Sequence, residues 1–190
     1  MMSTHTAVAR SSPVVPPGRW VVDPAHSTVE FAVKHMGIAT VRGRFTEFEG
    51  ILEVAEDLAR SRASGKVMVA SITTNEPDRD AHLRSPDFFD AERYPEIGFE
   101  STRIEAIDDT TSQVFGNLTM HGVTREMKLE VVISGTDDDP WGNTRVGLEA
   151  VGAIKRSEFD MKFNQALGSG NMLVGDKVTI SLDISAIRQS

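Results

Sequence analysis

The sequence predicts an all-β protein, an eight-stranded antiparallel barrel with a short helical insert. Three observations carry this. Apolar and polar residues alternate with a period of two through most of the chain, the pattern of strands with one buried face. One interval alone reads as helical, and no helix stands between successive strands, which favours antiparallel pairing. The 190 residues suit one domain with a sizeable core, and a flat sheet that wide would expose edges that closure removes. A two-sheet sandwich is the structural rival.

Residues 1–18, with Ser11-Ser12-Pro13 and Pro16-Pro17-Gly18, read as a flexible leader, and the barrel domain spans 19–190 with order starting near Trp20. In the first long strand Val29, Phe31, Val33 and His35 share a face opposite Thr28, Glu30, Ala32 and Lys34. Val41, Gly43 and Phe45 follow, and the apolar set resumes at Phe48, Gly50, Leu52 and Val54. That change of parity predicts a β-bulge between Phe45 and Phe48 that bends one strand. Lys66 to Ile72 and Ile97 to Ile107 are the next strands. Ser112 to Met120 leads through a tight turn at His121-Gly122 into Val123 to Ile133, where Val123, Met127, Leu129, Val131 and Ile133 share a face. Arg145 to Ile154 and Lys177 to Ile187 complete the set, the last with Val178, Ile180, Leu182 and Ile184 alternating. The helical interval is Asp78 to Arg93. Ser85-Pro86-Asp87 supplies a cap, a first-turn proline and an early acid, so two short helices broken at Ser85 are expected. Asp137-Asp138-Asp139-Pro140 reads as a turn.

Composition narrows the function. A net charge of −8, with 20 basic residues scattered among 28 acids, disfavours nucleic acid, whose phosphates are neutralised by basic surfaces. No apolar run approaches the ~18 residues of a membrane span. With no cysteine, disulfides and thiolate metal sites are excluded. From Met1 to Pro17 there is no apolar segment of ~7–15 residues, so no secretory signal is expected and the cytoplasm is the expected compartment. The sequence holds no Gly-x-Ser-x-Gly elbow, no phosphate-cradling glycine loop and no His-Glu-x-x-His. Its histidines, His5, His26, His35, His82 and His121, never fall at metal-ligand spacing, and the Asp137–Asp139 run lacks the alternate acids of a calcium loop. A non-enzymatic protein without metal or cofactor is therefore expected. Two alternatives stay open: a cavity enzyme using His35 or His82 beside a carboxylate, and an interaction scaffold with a filled core. Nothing in the sequence decides between monomer and homodimer.

The stretch Trp20-Val21-Val22-Asp23-Pro24-Ala25-His26-Ser27, running on to Phe31, Val33, Lys34 and His35, resembles the opening of the YceI-like family. Val41-Arg42-Gly43-Arg44-Phe45 does so too. The insert Arg79-Asp80-Ala81-His82-Leu83-Arg84-Ser85-Pro86-Asp87-Phe88-Phe89-Asp90, with Tyr94-Pro95 and Ile97-Gly98-Phe99, is similar to the family's middle signature. Gly116-Asn117-Leu118-Thr119-Met120-His121-Gly122-Val123-Thr124 and Val174-Gly175-Asp176-Lys177-Val178 match later ones. The resemblance runs in order from about Trp20 to Ile187. It implies a lipocalin-like, elongated barrel that binds polyisoprenoid or similar amphiphilic chains in its interior. Several members carry a signal peptide and work in the periplasm, a feature from which this leader departs.

On that reading the expected partner is an isoprenoid, a quinone or a fatty amphiphile. Candidates for the cavity wall are Phe31, Val33, Phe45, Val67, Val69, Phe99, Phe115, Met127, Leu129 and Leu148. Their competing role is core packing, because small barrels are usually filled by their own side chains; only the resemblance favours an open interior. His35, at the end of an apolar face, either touches a head group or caps the barrel mouth. His26 follows the Asp23-Pro24 turn and fits structural hydrogen bonding. Arg79 and His82 lie three residues apart, project from one face of the insert, and with Arg84 would hold a diphosphate head. Ion pairing with Asp78 and Asp80, or solvation, is the competing role.

Overall fold

Alternation becomes strand wherever one face meets the interior. The computed structural model describes residues 15–190, so most of the expected leader lies outside the described residues. Eleven strands form one antiparallel sheet. They are β1 (Gly18–Val22), β2 (Thr28–His35), β3 (Ala39–Phe45), β4 (Phe48–Val54), β5 (Arg62–Met68), β6 (Ile72–Thr73), β7 (Glu96–Ala106), β8 (Thr111–Met120), β9 (Val123–Asp138), β10 (Thr144–Lys155) and β11 (Val174–Arg188). The short strand β1 closes the ring. Val21 stands opposite Ile51 of β4 on one side and opposite Ile187 of β11 on the other. The circuit β1–β4–β5–β7–β8–β9–β10–β11 is thus a closed eight-strand antiparallel barrel, and the sandwich is set aside. Strands β2, β3 and β6 extend the wall from the other end of β11, where Val178 meets Val33.

The bulge expected between Phe45 and Phe48 is a break. Strand β3 ends at Phe45, opposite Ile72, while β4 starts at Phe48, opposite Val67. The facing strand, expected as Lys66–Ile72, starts earlier at Arg62 and breaks at the same level, where a 3-10 turn at Val69–Ser71 parts β5 from β6. Ser71 pins this double corner. Its Oγ accepts from the N–H groups of Thr46 (3.1 Å) and Glu47 (3.0 Å) and donates to the Met68 carbonyl (2.7 Å). Hydrophobic parity cannot separate an extra residue from a change of neighbours, so sequence alone reads this as a bulge.

The helix α1 (Pro77–Arg84) starts one residue early, with Glu76 capping the Asp78 N–H and Pro77 in its first turn. It stops before Ser85 as expected, but no second helix follows. Residues 85–93 form successive turns, with Asp90 at φ 49°. The physical reason is burial. Phe88 is turned inward and buried, and Phe89 meets Phe45 edge-on at 5.9 Å. The His121-Gly122 turn forms with φ of 54° and 73°, as a two-residue hairpin requires. Asp137 and Asp138 belong to β9, so the next turn begins only at Asp139.

The connections gather at two ends. Residues 55–61, 107–110 and 139–143 lie at one end, with both chain ends of the described barrel; this is the loop end. The 36–38 turn, the 74–95 insert and the 156–173 segment lie at the other, the insert end. At the loop end Trp20 is fully buried, and its indole N–H donates to the Pro16 carbonyl (3.1 Å). Val15 packs on the same cluster, so residues from Val15 onward are already tied to the barrel. No helix among the described residues is long and apolar enough to cross a membrane.

Candidate functional site

Side chains facing inward leave the barrel hollow. A cavity of about 510 Å³ runs between the two ends, walled by residues of nearly every strand, a volume usual for small-molecule sites. Of the expected wall residues, Phe31, Val33, Phe45, Val67, Phe99, Met127, Leu129 and Leu148 line it. Two glycines help to keep it open. Gly43 stands opposite Phe31, and a Cβ there would lie 2.3 Å from the Phe31 ring. A Cβ on Gly116 would lie 2.4 Å from the Phe99 ring. Both rings therefore occupy space against the sheet that a side chain at either glycine would take.

The other five expected residues lie off the wall. Phe115 occupies the outer face of β8, whose inward set is Val114, Gly116, Leu118 and Met120; the Arg103 guanidinium covers its ring at 4.0 Å. Val69 sits in the 3-10 turn of the corner, buried but away from the lumen. His35 ends β2, exposed beyond the wall's rim, opposite Ala39. Arg79 donates to the Thr74 hydroxyl (2.8 Å) and carbonyl (3.0 Å). His82 pairs with Asp87 (2.7 Å) between the rings of Phe88 and Phe163, each 5.0 Å away. Arg79 and His82 of the expected diphosphate clamp are thus engaged by Thr74 and Asp87, and neither they nor Arg84 line the cavity.

Sequence reasoning missed several wall residues. Ile97 and Ile104 both face the lumen although their parity differs, because β7 shifts register between Ser101 and Arg103. Alternation on β11 had already grouped Ile180, Leu182 and Ile184, which line the cavity. Arg156 carried no periodic signal, since it lies past β10 in a 3-10 turn. It is 5% exposed and stands at the insert end of the cavity with Phe88, Met120 and Met161, all buried. Its Nε donates to Gly175 O (2.8 Å), Nη1 to Met161 O (2.8 Å) and Nη2 to Val174 O (3.2 Å). Burial pushes its pKa down from the ordinary arginine value, against the pull of the Asp176 charge. At the loop end, by contrast, the lining includes the exposed residues Glu56, Leu58, Asp108, Asp109 and Thr110. That is the mouth.

Lys66, paired with Glu49 (3.6 Å) and Glu96 (3.3 Å), borders the cavity together with Glu49, whereas the cluster around Asp23 and Arg145 lies away from it. Asp23 takes His26 Nδ1 at 2.7 Å, as the turn predicted, and also the Arg145 guanidinium at 2.9 Å. Arg145 reaches on to Asp139 at 2.7 Å. Among the described residues no three His, Asp or Glu side chains converge as a metal site would require.

Comparison with known proteins agrees with this architecture. Residues 20–186 match the family model of the YceI-like domain. A UPF0312 protein of Pseudomonas aeruginosa is 35% identical over 168 residues, covering 86% of this chain and 83% of its own. Protein YceI of Escherichia coli is 35% identical over 163 residues, covering 85% and 82%. Among solved structures, a Campylobacter jejuni YceI protein matches with a TM-score of 0.70 at 27% identity, over 83% of this chain and 90% of its own. BcnA of Burkholderia cenocepacia matches with a TM-score of 0.74 at 24% identity, over 86% and 98%. A polyisoprenoid binding domain from Saccharophagus degradans shares the fold, with a TM-score of 0.65 at 14% identity over 90% and 98%. With the family model spanning Trp20 to Ala186 and these relatives beside it, the chain belongs to the YceI-like family.

Proposed function

We propose that this protein binds one polyisoprenoid, quinone or other long-chain amphiphile in its lumen, without chemical turnover, for storage, transport or sequestration. The observation that carries the reading is the hollow of about 510 Å³ walled by hydrocarbon side chains. The shared fold with a polyisoprenoid binding domain supports it. Moving hydrocarbon out of water contributes about 0.8 kcal/mol per CH₂, so one isoprene unit contributes up to ~4 kcal/mol before the cost of ordering the chain. Two or three buried units then reach about −8 kcal/mol, a micromolar affinity. The wall residues Phe31, Val33, Phe45, Val67, Phe99, Met127, Leu129 and Leu148 supply that contact. A chain without cysteine needs no oxidising compartment, and we take the cytoplasm as the site of action, which fractionation of host cells tests.

Native mass spectrometry of the protein purified from its own host tests the binding itself. A retained lipid of discrete mass supports the reading. Protein that arrives empty and takes up no added prenyl quinone or fatty acid overturns it. Turnover of a bound lipid, lost on His82→Ala, overturns the non-catalytic part alone.

A further inference from the structure

We infer that Arg156 makes the insert end of the lumen a seat for a carboxylate, so that the protein takes long-chain fatty acids head-first. The inference rests on the reading that the lumen holds an amphiphile, and it names the head group and its direction. The guanidinium is always charged, and charge in an apolar interior is costly unless it is paired. Its partners here are three backbone carbonyls, of Met161, Val174 and Gly175. These dipoles ease the burial of the cation without neutralising it. Its charged neighbour Asp176 makes no ion-pair contact with it and is held instead by Ser157, through the backbone N–H (2.9 Å) and the hydroxyl (2.8 Å). A guanidinium carries five N–H donors, and the three carbonyls leave two free.

Around it the lining is hydrocarbon and thioether: Phe88, Met120, Met161 and Val174. A single carboxylate matches both the charge and the planar fork of such a group. A diphosphate would bring more negative charge than one guanidinium balances in a dry site. The mouth argues the same way from the opposite end. Glu56, Asp108 and Asp109 line it against one exposed cation, Arg62, so an anionic head left there would face net like charge. Head at Arg156 and tail toward the mouth is the arrangement that both ends favour.

The test compares an eighteen-carbon fatty acid with the alcohol of equal chain length, on delipidated full-length protein, by calorimetry. A hydrogen-bonded charged head is worth about tenfold or more in affinity over the neutral one. The expected result is a tenfold preference for the acid in the unmodified protein, falling to about one in Arg156→Gln. In the unmodified protein the preference should also vanish as pH falls through the acid's own pKa. That second measurement decides the matter if Arg156→Gln does not fold. An acid-to-alcohol ratio near one, or a ratio that Arg156→Gln leaves unchanged, overturns the inference, and Arg156 is then a structural pin while lipid binding stands. If neither ligand binds the unmodified protein, the underlying reading falls instead.

Discussion

A single hydrogen atom in place of a side chain sets the bore of the lumen at Gly43. The atoms that a Cβ would meet there are the Phe31 ring at 2.3 Å and the Thr74 methyl at 3.0 Å. Both are side-chain atoms, so β3 can keep its pairing and the ring must yield. Gly43→Ala is therefore expected to swing Phe31 into the cavity, at about 1–3 kcal/mol of stability, the usual range for overpacking. Binding of a long-chain amphiphile should weaken with it. Adding Phe31→Ala should restore binding to Gly43→Ala, and a double-mutant cycle by titration and urea unfolding measures this. Strictly additive effects would sink the idea. The alternation that put Phe31 and Gly43 on one face was legible in the sequence. What the glycine is for was not, because it depends on a partner across the sheet. Phe115 shows the reverse error. Being aromatic suggested the wall, yet its parity with Val114 and Leu118 placed it outside.

At the scale of elements, strands were legible and their interruptions were not. Each strand carries its own period, whereas the breaks at Thr46-Glu47 and Val69–Ser71 arise from which neighbour each half pairs with. Ser71 joins them through three hydrogen bonds, two of them accepted from the Thr46 and Glu47 N–H groups. Ser71→Ala should cost about 1–2 kcal/mol, read as a lower urea midpoint at unchanged slope; no change in midpoint would mean that water takes over the corner. Arg145 couples elements in a second place, tying the β9–β10 turn at Asp139 to the β1–β2 connection at Asp23. Its hydrogen bond, with those of His26 and the Ala25 N–H, holds the Asp23 carboxyl below its ordinary pKa. At Asp139 burial works to raise the pKa and is outweighed by Arg145, Asn143 and two backbone N–H groups. Carboxyls depressed in the folded state stabilise it above their unfolded pKa and lose that contribution as pH falls. Stability should therefore hold above about pH 4 and decline below it. Hydrogen exchange should rise first at residues 23–27 and 139–145, and Arg145→Met should shrink the acid-dependent loss. An acid profile identical in Arg145→Met would remove the cluster from the account.

Across the whole molecule, the barrel gives up contacts along its own axis, since the atoms lining a void lack partners on one side. Whether such an interior is hollow could not be read from the sequence. The same apolar face serves a filled core or an empty one, and the difference lies partly in rings that take up the space left by Gly43 and Gly116. A guest that fills the void binds the folded chain alone, so it must stabilise folding by mass action. At a free concentration of one hundred times Kd the gain is about 2.7 kcal/mol. For a chain of this size each kcal/mol moves the melting temperature by roughly 2–4 °C, so delipidated protein should gain about 5–11 °C. The net charge of −8 grades the guests. A doubly charged diphosphate meets an unfavourable field at the acidic mouth, whereas a quinone of the same prenyl length does not. At equal concentration the quinone should give the larger shift, and added salt should narrow the gap by screening. Scanning calorimetry with both ligands at low and high salt reads this directly. A diphosphate shift that exceeds the quinone's at low salt would show that a cationic contact outweighs the overall field.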